Sequence, residues 1–187
     1  MGNVVSWYIN LIETHTIPTK VITSGILYAV GDCISQSIEK NKKHRFDFWR
    51  CVRMLLWGFV FGLIVHFWYQ LLDRIRIPNA ILCAVVKMLT DQFTGSIVVT
   101  FLMFVFCSLL ESCKGQPKRA WDEAVSKILP TMKVSWCIWI VVQLFNFLLV
   151  PVHYQLFVVN VVSIFWNAFL SYQTNKSPKP AKHAHTP

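Results

Sequence analysis

From Ala80 to Leu110 the chain runs AILCAVVKMLTDQFTGSIVVTFLMFVFCSLL, 31 residues that are apolar except where VKMLTDQ interrupts them. No other feature constrains the fold as strongly. An apolar run of this length must satisfy its own backbone hydrogen bonds, so it specifies a helix that crosses a bilayer. At about 1.5 Å per residue it exceeds a hydrocarbon core of roughly 30 Å, so it must tilt, kink near Gly95 or project beyond the core. Lys87 and Asp91 are four apart and share a helix face, where they can pair. Charges in lipid are costly and usually turn inward, so this face is expected at a bundle interior or a wet cavity.

Three more strong apolar segments follow the same logic: Leu55 to Leu72, Val134 to Val150 and Val152 to Tyr172. A weaker one, Ile17 to Ile38, carries Asp32, Gln36 and several hydroxyls. The third and fourth strong segments meet at Pro151, which removes a helix hydrogen bond and predicts a tight hairpin there. A β-barrel is excluded because these stretches do not alternate over ~10-residue units. The fold class expected is an all-α integral membrane bundle, with four strong transmembrane helices and a weaker first helix. Residues 1–16 read as an interfacial helix with Trp7 and Tyr8 as aromatic anchors, 17–172 as the multi-span domain and 173–187 as a disordered polar tail.

Composition sharpens the class. Only 14% of the 187 residues are charged, against about 25% in soluble domains, and 55% are hydrophobic. The formal net charge of +9 would suit nucleic acid, but its placement does not. Lys and Arg gather where apolar segments end, six between Lys40 and Arg53, two at Arg74 and Arg76, five between Lys114 and Lys133, none at the hairpin tip and three in the tail. That alternation reads as membrane topology, with the first and third linkers and the C-terminus on the positive side. The six cysteines form no CxxC and no zinc-ligand spacing, so neither a disulfide framework nor a metal or other cofactor is expected.

Polar residues recur in every apolar segment: Asp32 and Gln36, His66, then Lys87, Asp91 and Gln92, then Gln143 and Asn146, then Asn160 and Asn167. Turned inward they would form one polar seam, either a water-lined path sorted by fixed charges or hydrogen-bond glue between helices. Gly58 and Gly62, spaced GxxxG, and Pro151 are assigned to helix packing. No enzyme is expected. Asp32 and Asp91 do not suit an aspartyl dyad, since Lys87 lies one turn from Asp91 and Ala29 stands where a GxGD motif needs glycine. HExxH, GxSxG and P-loop patterns are absent.

These motifs resemble the family of small membrane proteins named for Mpv-seventeen and the twenty-two-kilodalton peroxisomal membrane protein. The matching stretches are HTIPTK, SGILYAVGDCISQ, the pattern Asp47-x-x-Arg50-x-x-Arg53, GLIVHFWYQLLD, KMLTDQ and WCIWIVVQLFNFLLVPVHYQL with WNAFLSY. The chain departs from the family pattern where prolines give way to Thr16, Leu63, Ile97 and Ile140, and where an arginine gives way to Gln155. Losing helix-breaking prolines should straighten those helices, and losing the arginine removes a partner for a buried carboxylate. The resemblance implies a non-selective channel for small solutes or metabolites in the mitochondrial inner membrane, or alternatively the peroxisomal membrane. It also implies a link to membrane potential, mitochondrial homeostasis and mitochondrial DNA maintenance. The expected partners are the lipid bilayer and the solutes themselves, with a homo-oligomer left open and no nucleic acid. The competing expectation is a non-conducting assembly or scaffold protein.

Overall fold

Helix boundaries follow the local chemistry of the chain. The computed structural model describes residues 2–38, 46–110, 116–149 and 162–172. Helix α1 (Gly2–Thr14) passes into α2 (Thr16–Ile38) almost without a break, since His15 N donates to Leu11 O and Thr19 N to His15 O. Pro18 sits in the first turn of α2, where a missing N–H is tolerated. Helix α3 (Phe48–Leu72) starts at Asp47, whose side chain accepts the Arg50 N–H at 3.0 Å. Asn79 does the same for α4 (Ala80–Thr90), accepting from Leu82 N at 3.0 Å.

The 31-residue run does not continue as plain α-helix. After α4 comes one π-turn, Asp91–Gly95, and then α5 (Ser96–Leu110). The irregularity thus falls at the polar interruption, ending on Gly95. Helix α6 (Pro117–Leu149) is 33 residues and about 50 Å long, well beyond a hydrocarbon core. Residues 162–172 form α7. Helices α3, α5 and α6 run unbroken through Leu63, Ile97 and Ile140, the positions that lack proline.

One expectation is corrected by α6. The stretch from Lys114 to Lys133 reads as a linker, yet it is helical from Pro117 onward. Proline suits a first helical position, Lys127 pairs with Glu123 at 2.8 Å one turn earlier, and Ala120 and Ala124 are fully buried on the inner face. The charges mark the end of an apolar face, and the helix itself extends past them.

Four helices are long and apolar enough to cross a membrane: Thr16–Ile38, Phe48–Asp73, Ala80–Leu110 and Pro117–Asn146. No strand occurs among the described residues, and the architecture is an all-α membrane bundle. The weak first segment is one of the four. Val150, Pro151, Gln155, the hairpin they were expected to form, the basic KNKKHR stretch and the tail lie outside the described residues.

Packing centres on α2 against α3, with α5 on α6 and α3 on α5. The core joins Tyr28, Met54, Trp57, Met103, Phe104, Trp166 and Leu170. Large apolar side chains such as Ile22, Ile26, Phe67, Val98, Val141 and Phe145 point outward, as lipid-facing residues do. The Gly58/Gly62 spacing is used within the chain. A Cβ on Gly58 would stand 2.6 Å from Gly25 Cα and 2.7 Å from Ser24 O, and one on Gly62 would stand 2.8 Å from Val21 Cα. The backbones of α2 and α3 therefore touch, leaving no space for a methyl group.

Gly58→Ala should accordingly lower the stability of the detergent-solubilised protein by about 1–3 kcal/mol, read as an earlier thermal transition in circular dichroism. Leu63→Ala, on the exposed face of the same helix, should change it by less than about 0.5 kcal/mol. Equal shifts in the two variants would contradict the backbone contact.

Candidate functional site

At one end of the α2–α3 seam, spacing along each helix builds a closed polar network. Asp32 and Gln36 are one turn apart, so the Gln36 amide reaches both Asp32 Oδ2 (2.8 Å) and the Asp47 carbonyl (3.0 Å). Gln36 Oε1 accepts from Asp47 N at 2.7 Å. Arg50, one turn into α3, donates Nε to Asp32 Oδ1 at 2.7 Å and its Nη2 to Ser35 Oγ at 2.9 Å and Ser171 Oγ at 3.3 Å. Cys51 Sγ donates to Asp32 Oδ2 at 2.9 Å and lies 3.6 Å from Cys33 Sγ, while the Ser171 hydroxyl closes on Asp32 Oδ1. Asp32 and Ser171 are fully buried, and the carboxylate receives four donors, which fills its acceptor sites. This is a strut joining α2, α3 and α7.

The second centre is built on the π-turn. Asp91 accepts from Trp68 Nε1 at 3.0 Å and from Gln92 Nε2 at 2.9 Å. The indole comes this close because residue 95 is glycine: a Cβ there would run into Trp68 Nε1 and Cε2. Trp136 Nε1 donates to the Gln92 carbonyl at 3.2 Å and ties the turn to α6. Among the described residues there are two buried carboxylates; Asp32 has Arg50, and Asp91 has neutral donors alone.

Asp91 and Gln92 open onto a cavity of about 190 Å³ that Lys20, His66, Tyr69 and Gln143 also line. Gln143 Nε2 donates to Tyr69 Oη at 3.4 Å, Asn146 Nδ2 reaches Gln143 Oε1 at 3.5 Å, and Gln70 Nε2 meets His66 Nε2 at 3.0 Å. His66 Nδ1, Gln92 Oε1 and Asn146 Oδ1 are buried without a hydrogen-bond partner among the described residues. A polar, roomy space with unpaired groups is where water or a polar solute resides.

The sequence reading expected one seam, and the structure separates its members. Asp32 and Gln36 belong to the strut; His66, Asp91, Gln92 and Gln143 line the cavity, with Asn146 behind Gln143. Lys87 belongs to neither. Its Nζ donates to Asp73 Oδ1 at 3.1 Å on an exposed carboxylate, so the expected Lys87–Asp91 pair does not form. The long lysine stem carries its charge outward toward water, while neutral donors satisfy Asp91. Sequence reasoning missed the roles of Arg50, Ser35, Ser171, Trp68 and Lys20. Arg50 had a usable signal, since Asp47-x-x-Arg50 places it one turn inside a capped helix beside a segment holding an unpaired aspartate. Among the described residues no group of three His, Cys, Asp or Glu side chains is arranged to hold a metal.

The model of the Mpv17 / PMP22 family matches residues 108–171. Protein SYM1 of Mycosarcoma maydis is 36% identical over 176 residues, covering 93% of this chain and 86% of that protein. Mitochondrial inner membrane protein Mpv17 of Xenopus laevis is 33% identical, covering 91% and 96%. Peroxisomal membrane protein 2 of Bos taurus is 31% identical, covering 89% and 87%. No solved structure matches the chain.

Arg50→Met should strand the buried Asp32 charge and destabilise the protein by about 3–5 kcal/mol, measured as the folded fraction in a mixed-micelle SDS titration. Adding Asp32→Asn to Arg50→Met should recover part of that loss. A double variant no more stable than Arg50→Met would show that the two side chains are not coupled.

Proposed function

The chain belongs to the Mpv17 / PMP22 family of membrane proteins, and from that premise we propose that it is a passive channel, or permeability regulator, for small solutes. The observation that carries this reading is the cavity between α2, α3, the π-turn and α6, which holds a carboxylate without a basic partner among the described residues, in the interior of a membrane bundle. Ionisable groups inside a membrane bundle are rare, and they mark substrate and ion pathways and proton relays. A fixed negative charge beside a narrow path raises the local concentration of cations and lowers that of anions.

We place this activity in the mitochondrial inner membrane, after the name of the Xenopus laevis relative, with the peroxisomal membrane of the Bos taurus relative as the alternative. There, controlled leakage of small metabolites would serve membrane potential, mitochondrial homeostasis and the supply behind mitochondrial DNA maintenance. The bilayer and the solutes are its partners, in one copy or as a homo-oligomer, without catalysis. A second reading is favoured by one observation. The strut at Asp32 is saturated and closed, which is what an assembly or scaffold protein uses to fix its helices.

Purified protein in liposomes decides between them. The channel reading expects conductance, with Asp91→Asn shifting the cation-to-anion permeability ratio toward anions by roughly threefold or more. Lys87→Met, which removes an exposed pair, should leave that ratio unchanged. A silent bilayer with folded protein would favour the scaffold, and equal shifts in both variants would remove Asp91 from the path.

A further inference from the structure

The charges on the cavity wall say more than that a solute fits. Asp91 and Lys20 both line it, and neither forms an ion pair among the described residues. Among the described residues, Asp32 is held by Arg50 and Lys87 by Asp73. The cavity lining therefore brings one carboxyl residue and one amine residue, neither in an ion pair, to a common space.

The offset along α3 between the Lys20 backbone and the Asp91 carboxylate follows from the helices that carry them. The Lys20 carbonyl lies against Gly62, and the Asp91 carboxylate lies against Trp68. Six residues of α3 separate Gly62 from Trp68, which is about 9 Å along the axis at about 1.5 Å per residue. Two charge-assisted hydrogen bonds of roughly 2.8 Å each, with the ~3 Å between an ammonium and a carboxylate on one carbon, span about that distance. The lysine side chain, half-buried on four methylenes, adjusts the remainder.

We infer that the cavity is a subsite for a small zwitterion, of the α-amino acid class, with its ammonium on Asp91 and its carboxylate on Lys20. The inference rests on the channel reading and deepens it by naming the solute. Gln92 Oε1, buried and unpartnered beside Asp91, takes a second ammonium proton. Tyr69 and Trp139 also line the cavity, and aromatic rings attract cations. A lone anion would meet Asp91 without compensation, and a lone cation would meet Lys20. A zwitterion meets both, and its zero net charge avoids the large cost of carrying a net charge into a low-dielectric interior. At about 190 Å³ the space is smaller than the ~300–1,000 Å³ of drug-sized pockets, which confines the ligand to a few heavy atoms.

The test uses full-length protein in liposomes and four labelled probes of similar size: alanine as zwitterion, ethanolamine as cation, lactate as anion and glycerol as neutral solute. The wild type should pass alanine faster than ethanolamine or lactate. Asp91→Asn and Lys20→Met should each slow alanine roughly tenfold, the loss of one charge-assisted bond, and shift preference in opposite directions, toward lactate and ethanolamine respectively. Glycerol passage with no preference among the charged probes, or variants that leave alanine flux intact, would overturn the subsite while leaving the channel standing. If glycerol does not pass, the channel reading fails and equilibrium dialysis of labelled alanine against folded, detergent-solubilised protein decides the subsite. Binding that both substitutions weaken supports it, and no binding overturns it.

Discussion

Helices α2 and α3 meet backbone to backbone at Gly25 and Gly58, and the Asp32–Arg50 pair fixes the end of that contact. In lipid, apolar side chains gain little by leaving the solvent, so close packing and internal hydrogen bonds must hold helices together. Here the two act in sequence along one seam. Glycines remove the side chains that would hold the helices apart, and the approach brings Asp32 within reach of Arg50, Cys51 and Ser35. Ser171 then draws α7 into the same network, where Gly31 lets the backbone of Asn167 and Ala168 come close. A buried ion pair is weak evidence for net stability, because desolvation offsets much of its attraction. Its consequence is register: with every acceptor filled, the helices have one way to align.

That fixed register leaves the other end of α3 free to build a different environment. Trp68, Tyr69 and His66 project from its last turns toward the π-turn, where one extra residue per turn widens the helix. Asp91 is thereby held by two neutral donors and forms no ion pair among the described residues. The two aspartates of the membrane interior thus serve opposite ends. One is neutralised by a neighbour and structural, and the other faces a cavity with unsatisfied groups around it. The proposed permeability depends on that contrast, and so does the proposed solute preference.

Much of this architecture was legible in the sequence, because the bilayer imposes simple rules. Apolar runs of sufficient length specify crossing helices, and a proline-free run interrupted by VKMLTDQ had to place that interruption somewhere protected. Excess length left tilt, a kink near Gly95 or projection beyond the core open, and the structure has a π-turn at Asp91–Gly95. What the sequence could not convey were distances between segments. Lys87 and Asp91 look paired at a spacing of four, yet Trp68 and Gln92 occupy Asp91, and Asp73 attracts Lys87 outward. Charge positions in 114–133 marked the end of an apolar face, and the helix continued regardless because Lys127–Glu123 and Ala120 suit its two sides. Arg50 read as part of a basic linker, since the sequence does not reveal that antiparallel packing puts it beside Asp32.

A solute path requires water at the inner face of α5 next to the π-turn, although this helix lies in the membrane. Thr100 lines the cavity and is buried, whereas Val98 on the same helix faces outward. Single cysteines at these two positions, in a chain with its native cysteines replaced and reconstituted in liposomes, can be probed with a hydrophilic, membrane-impermeant thiol reagent. The account predicts modification of Thr100→Cys and protection of Val98→Cys by lipid. Protection of Thr100→Cys in folded protein would mean a dry interior and would contradict a solute path.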